Sequence, residues 1–244
     1  MFRGFGTLLN ILGIAGGSTL GVLFGNRIPE KTRSLVTDAL GFVTLLAAAD
    51  ALMVLWKPSF VSALPKGWAL LTVLTSLLLG AFLGTWLKIE ERLEKFGIVL
   101  RGRFSNSNRG TFLEGFMAAS LLFAIGPLAI LGSISDGMGT GSSQLVLKST
   151  LDAVTSIAFA ATFGWGVMAS VIPVGIYQAL WTLAGWGLGN VMSDYQIGAM
   201  TCVGGVLLLG ISLRVLRIKE VSVANLLPAI FIAPLIASGA HHFL

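Results

Sequence analysis

Lys148 and Asp152 stand four residues apart in LKSTLDAVTSIAFA (147–160), a spacing that puts an ammonium and a carboxylate on one face of a helix. Ser149, Thr150, Thr155 and Ser156 add hydroxyls around them. Two chemistries fit. The pair could simply neutralise itself, or Asp152 could hold a proton or cation, with Lys148 tuning the carboxylate and replacing the cation when the site is empty. Asp50 and Glu114 are further carboxylates in apolar surroundings, and Asn10 and Gln178 are amides in the same setting. Amides of this kind more often join helices than bind solutes. Asp38 and Glu114 stand near the starts of their apolar stretches, where the helix macrodipole favours an anion; Asp50 lies near the far end of its stretch and lacks that explanation.

The segment AIGPLAILGSISDG (124–137) carries a second kind of chemistry. Pro127 removes a backbone donor and its ring clashes with the preceding turn, so a helix should break at Gly126-Pro127, beside Ser133 and Asp136. At membrane depth the carbonyls freed by such a break must be satisfied by protein or line a wet cavity, as in the ion sites of several transporters. The chain has no Walker A loop, no H-E-x-x-H and no GxSxG. Its two histidines, His241 and His242, stand at the extreme C-terminus, and its single cysteine, Cys202, lies in an apolar run, so neither a disulfide within the chain nor a zinc cluster is expected. Catalysis, a cofactor and a bound metal are therefore not expected.

These residues need elements to hold them. Of the 244 residues 55% are hydrophobic and only 11% charged, and the mean hydropathy is +0.88. That is the composition of a multi-pass membrane protein, whose main partner is the bilayer. Apolar windows fall near 6–25, 35–56, 67–87, 111–134, 145–163, 166–189, 197–213 and 224–240, each long enough to cross as a helix. Only residues 164–166 separate the fifth window from the sixth, and the fifth carries both Lys148 and Asp152, so a re-entrant or tilted fifth segment is the alternative to a full span.

The net charge of +5 suggests no nucleic-acid partner, because the Lys and Arg residues sit mainly between spans. With eight spans, twelve of the sixteen Lys and Arg gather in the loops on one face, against Arg3, Lys57 and Lys66 on the other. The positive-inside rule then makes the basic face cytoplasmic and puts both termini outside. It also argues against a cleaved signal peptide in the first run, which no convincing small-x-small site follows. The loop 88–110 should form an interfacial amphipathic helix, with Ile89, Leu93, Phe96 and Leu100 on its apolar face and a flexible joint from Ser105 to Gly110.

Gly13, Gly17, Gly21 and Gly25 form a bare stripe along the first span, and Gly80 and Gly84 repeat it in the third. Such stripes let another helix approach closely. The neighbour is expected within the chain, with a homo-oligomer as the alternative. Short matches hint at a repeat: GTLLN at 6–10 with GTFLE at 110–114, Asp38-Ala39 with Asp152-Ala153, and Gly67-Trp68 with Trp165-Gly166. Units of three spans, 1–87 and 111–189, must enter from opposite sides and so form an inverted repeat, followed by two C-terminal spans in 190–244.

The blocks GTLLN (6–10), GNRIPE (25–30), IEERLEKFG (89–97), EGFMAASLLFAIGPLAILGSISDG (114–137), LKSTLDAVTSIAFA (147–160) and VANLLPAIFIAPLI (223–236) together resemble the bacterial multi-pass membrane family called domain of unknown function 554. The resemblance runs over essentially the whole chain, and the fourth and fifth blocks are its most specific. It implies a prokaryotic cytoplasmic-membrane protein of a kind described as a candidate transporter, and brings no substrate or catalytic residue with it. Gly141 stands where the resemblance leads one to expect an acidic residue, which argues against a cation role for that loop.

The expectation is an all-helical bundle of about eight spans that transports or conducts a small solute or ion. Asp152, Lys148, Asp50, Glu114, Asn10, Gly126, Pro127, Ser133 and Asp136 would line its route. The rival is a non-transporting scaffold or sensor whose loop 88–110 binds a partner or anionic lipid.

Overall fold

The computed structural model describes residues 2–25, 29–104, 109–125, 127–188 and 192–243, and among them there is no strand. In hydrocarbon a lone segment can satisfy its own backbone N–H and C=O groups only as a helix. In chain order the helices are α1 (Phe5–Gly25), α2 (Glu30–Leu52), α3 (Pro58–Val61), α4 (Trp68–Leu87), α5 (Ile89–Phe104), α6 (Arg109–Ala124), α7 (Pro127–Met138), α8 (Ser143–Phe163), α9 (Trp165–Ala169), α10 (Val171–Leu188), α11 (Asp194–Val215) and α12 (Pro228–His241). Single 3-10 turns at Met53–Trp56 and Val223–Leu226 extend α2 and precede α12. Seven spans are long and apolar enough to cross a membrane, and α6 with α7, bent by 59°, make an eighth if the pair crosses as one. Large apolar side chains such as Phe82 and Trp86 are more than 70% exposed, as lipid-facing residues are.

The chain forms two compact units. In the first (Met1–Gly41 and Leu93–Val191), the glycine stripe of α1 lies on α8: Gly13 meets Ser149, Gly17 meets Ala153 and Ser156, Gly21 meets Ile157 and Gly25 meets Ala161. The neighbour of the stripe is thus a helix of the same chain. Numbers rise together along both helices, so α1 and α8 are parallel. Against α10 they run oppositely, with Thr7 beside Thr182 and Ile11 beside Gly175.

The bent pair traverses this unit. Phe112 and Gly115 of α6 lie at the level of Gly166 and Phe163, beyond the C-terminal end of α8 and at it, whereas Gly132 and Asp136 of α7 lie at the level of Leu145 and Gly6. Together α6 and α7 therefore cross in the direction opposite to α8. A re-entrant loop would return to its starting side and leave two crossings between α1 and α8, making them antiparallel. The parallel contact fits three, which makes eight candidate spans among the described residues. The fifth is a continuous helix, and its turn into the next is made by Gly164 at φ 69°, ψ −148°, a conformation open to glycine.

In the second unit (Phe42–Arg92 and Met192–Leu244), α11 is the most buried span. Its Gly205 receives Ala48, Ala51 and Leu52 of α2, and its Gly198 receives Phe60 of α3. Gly80 and Gly84 of α4 press on Ala229 and Asn225, so α4 runs antiparallel to the last span. At one end Glu90 ties three elements together: it accepts from Arg214 Nη1 at 2.8 Å and Ala224 N at 2.9 Å, while its own N–H donates to Asn225 Oδ1 at 2.9 Å.

Three local expectations change. α2 begins at Glu30, so Asp38 is its ninth residue and lies beyond the first turn, where the macrodipole acts. α6 begins at Arg109, which puts Glu114 in its second turn. Within loop 88–110, Ile89–Phe104 form a helix, α5, whose Leu100 is buried and whose Gly97 and Phe96 lie against Phe116; of the expected joint, residues 105–108 lie outside the described residues and Arg109 and Gly110 open α6 instead.

Candidate functional site

The ion pair forms. Lys148 Nζ donates to Asp152 Oδ2 at 2.7 Å, and the two side chains are only 8% and 10% exposed. At 1.5 Å per residue Asp152 stands about 13 Å along a helix roughly 31 Å long, near the middle of this candidate span.

The faces of α8 show what the pair confronts. At about 100° per residue, Leu145, Lys148, Asp152, Phe159 and Phe163 fall within about 60° of one another on the helical wheel. Leu145 packs on α7, where a Cβ at Gly132 would lie 2.9 Å from its Cγ. Phe159 packs on α6, its ring centroid 6.4 Å from that of Phe123. Lys148 and Asp152 lie between these two contacts, and so does the break, since α6 ends at Ala124 and α7 begins at Pro127. The ion pair thus lies on the flank of α8 whose ends meet α7 at Leu145 and α6 at Phe159.

A break supplies fixed partial charges. The last carbonyls of α6 are freed from their helical partners, and the first turn of α7 presents unbonded N–H groups. Such an arrangement can hold a carboxylate on one side and receive an ammonium or a cation on the other. Gly126 lies outside the described residues, and so does the Pro127 side chain; the backbone of α7 from Pro127 onward is what defines the break.

Ser133 and Asp136 belong to the same unit but serve a neighbouring junction. Asp136 Oδ2 accepts from the N–H groups of Gly6 at 3.0 Å and Thr7 at 3.3 Å, so this carboxylate caps the N-terminus of α1. One turn deeper, Asn10 Nδ2 donates to Gln178 Oε1 at 3.1 Å, and the hydroxyls of Thr7 and Thr182 meet at 2.9 Å. Thr7, Gln178 and Thr182 complete this cluster and were not among the expected route residues. Their spacing carried a signal, because Thr7 with Asn10 and Gln178 with Thr182 are pairs one turn apart on two helix faces. Nothing in the sequence linked Glu90 to Arg214, since that contact joins residues 124 apart.

Glu114 is half-buried on α6 in this first unit. Asp50 belongs to the second unit, exposed on the face of α2 that also carries Phe42, Val43 and Leu46. Among the described residues no group of three or more His, Cys, Asp or Glu could hold a metal ion.

An all-helical bundle with seven to eight candidate spans among the described residues and a buried ion pair in one of them defines a polytopic integral membrane protein. Residues 5–238 match the family described as Protein of unknown function (DUF554), and the chain belongs to it. Among curated proteins it is similar to the Uncharacterized membrane protein YdfK of Bacillus subtilis (strain 168), 31% identical over 98% of both chains. It is also similar to the Uncharacterized protein YqgA of Escherichia coli (strain K12), 29% identical over 98% of both chains. No solved structure matches.

Proposed function

We propose that the protein is a membrane transporter or channel for a small solute or ion, with Asp152 as its proton- or cation-binding group. The observation that carries this reading is the buried Lys148–Asp152 pair near the middle of α8, in the unit that also contains the interrupted α6–α7 pair. A helix needed only for packing has little reason to keep two charges there, and an interrupted helix offers backbone groups for a permeating ion.

In this mechanism a proton or cation arriving at Asp152 weakens its bond to Lys148. The released ammonium turns to the carbonyls ending α6, and the altered contacts across the break shift the balance between inward-open and outward-open states. Asn10, Ser133, Asp136 and Glu114 lie in the same unit and would line the route. The repeat is read as two inverted three-span units, 1–87 and 111–189; the opposite directions of α1 and α6 support it. The protein is placed in the cytoplasmic membrane of a prokaryote with both termini outside, on the strength of the basic loops.

The test is solid-supported-membrane recording on proteoliposomes, with a panel of cations, organic acids and amines. A solute-dependent current is expected from the native protein and none from a folded Asp152→Asn variant. An unchanged current in the variant would make the carboxylate structural. Absence of both current and solute-driven pH change from the native protein would overturn the transport reading.

A further inference from the structure

In the first unit, helices α1, α7 and α10 carry three buried polar atoms without a hydrogen-bond partner: Asn10 Oδ1, Gln178 Nε2 and Ser133 Oγ. All three residues are 0% exposed. Two primary amides that face each other can close a cyclic pair with two hydrogen bonds. Asn10 and Gln178 make only one, at 3.1 Å. Whichever way each amide is turned about its axis, a single bond leaves one carbonyl oxygen and one NH2 group unused.

The third atom belongs to the same place. On α7, Asp136 faces α1 through Gly6 and Thr7, while Ile134 and Gly137 face α10 through Gly185 and Thr182. At about 100° per residue, Ser133 falls between these two directions, turned into the seam where α1 and α10 carry Asn10 and Gln178.

The electrostatics select the ligand. Asp136, the nearby charge, is already engaged by the N-terminal N–H groups of α1, and the three unpaired groups are themselves neutral. A bare cation would satisfy the Asn10 oxygen and repel the Gln178 NH2; a bare anion would do the reverse. One group that donates to Asn10, accepts from Gln178 and exchanges a bond with Ser133 satisfies all three.

We propose that the α1–α7–α10 seam is a binding site for a small uncharged group offering both a hydrogen-bond donor and an acceptor, supplied by a bound water or by the hydroxyl or amide of a small solute. A buried water typically makes about three such bonds, which is the number on offer. The site stands on its own geometry and does not depend on the transport reading.

The experiment is a high-resolution structure of the full chain in lipid nanodiscs, in plain buffer and in buffer containing acetamide. Density is expected within about 3.2 Å of Asn10, Gln178 and Ser133 together. A spherical peak unchanged by acetamide identifies water, and a peak replaced by elongated density identifies a solute amide; either upholds the site. No density, with Asn10 and Gln178 closed into a two-bond pair, overturns it. In N10L/Q178L the peak should vanish while the Thr7–Thr182 bond remains, and a peak that survives undiminished would also overturn it. Ser133→Ala, a milder change, should lower the occupancy of the same peak, which keeps the test available if the double variant does not fold.

Discussion

Removing Lys148 alone would strand the Asp152 carboxylate in a site where it is only 10% exposed. Breaking one half of a buried pair typically costs about 3 kcal/mol or more, whereas replacing both halves by apolar residues of similar volume is close to neutral. Lys148→Met should therefore lower the unfolding free energy by about 3 kcal/mol, and adding Asp152→Leu should restore most of it. Equilibrium unfolding in mixed micelles checks both. If the double variant is no more stable than the single one, the two charges are not coupled as the 2.7 Å contact requires. The double variant also separates stability from function, because it should fold and yet carry no coupled current. Asp136 makes a different residue-scale prediction. As a cap on α1 its loss in Asp136→Ala should cost about 1–2 kcal/mol, and Asp136→Asn, which keeps an acceptor, should cost less.

The α1–α8 contact lives at the scale of the element. Between two helices in lipid there is little hydrophobic gain, so association rests on close van der Waals approach, which small residues permit. A Cβ on Gly17 would strike the Ala153 carbonyl and the Ser156 hydroxyl, and one on Gly21 the Ile157 carbonyl. Gly16, one residue away, has nothing within 4 Å of its Cβ position. Gly17→Leu should accordingly destabilise the fold by at least about 1–3 kcal/mol through overpacking, while Gly16→Ala should be neutral or slightly stabilising because alanine holds a helix better. Thermal unfolding of the two variants side by side is the check. Equal behaviour would mean that the stripe does not make this contact. α1 covers the flank of α8 carrying Ser149, Ala153 and Ser156, while on the flank with the charges Leu145 meets α7 and Phe159 meets α6.

For the whole molecule the crossing number decides the topology. If eight spans cross with the basic loops inside, the loop around Thr140 is expected outside with Lys57, and the segment around Lys219 inside. Single-cysteine variants Lys57→Cys, Thr140→Cys and Lys219→Cys in intact cells, treated with a membrane-impermeant maleimide, test this. Native Cys202 is buried and should give little background. Labelling is expected at 57 and 140 and not at 219. Labelling at 57 and 219 without 140 would instead mean that α6 and α7 form a re-entrant loop.

The sequence by itself determined which segments enter the membrane and that they are helices, because in hydrocarbon an apolar run of about 20 residues has no other way to satisfy its backbone. Local spacing likewise made the Lys148–Asp152 pair and the break near Pro127 legible, since both depend on residues within a turn or two of each other. The helix starts were less legible. α2 opens at Glu30 through a polar turn, TRS, that hydropathy assigns to a loop, and this is why Asp38 looked like a helix start. Only the tertiary structure decided that the glycine stripe of α1 lies on α8, that Asp136 caps α1, and that the bent pair runs from the C-terminal to the N-terminal end of α8. Each is a meeting of segments distant in sequence, set by which helix faces pack together, and packing between helices in lipid leaves no periodic mark that names its partner.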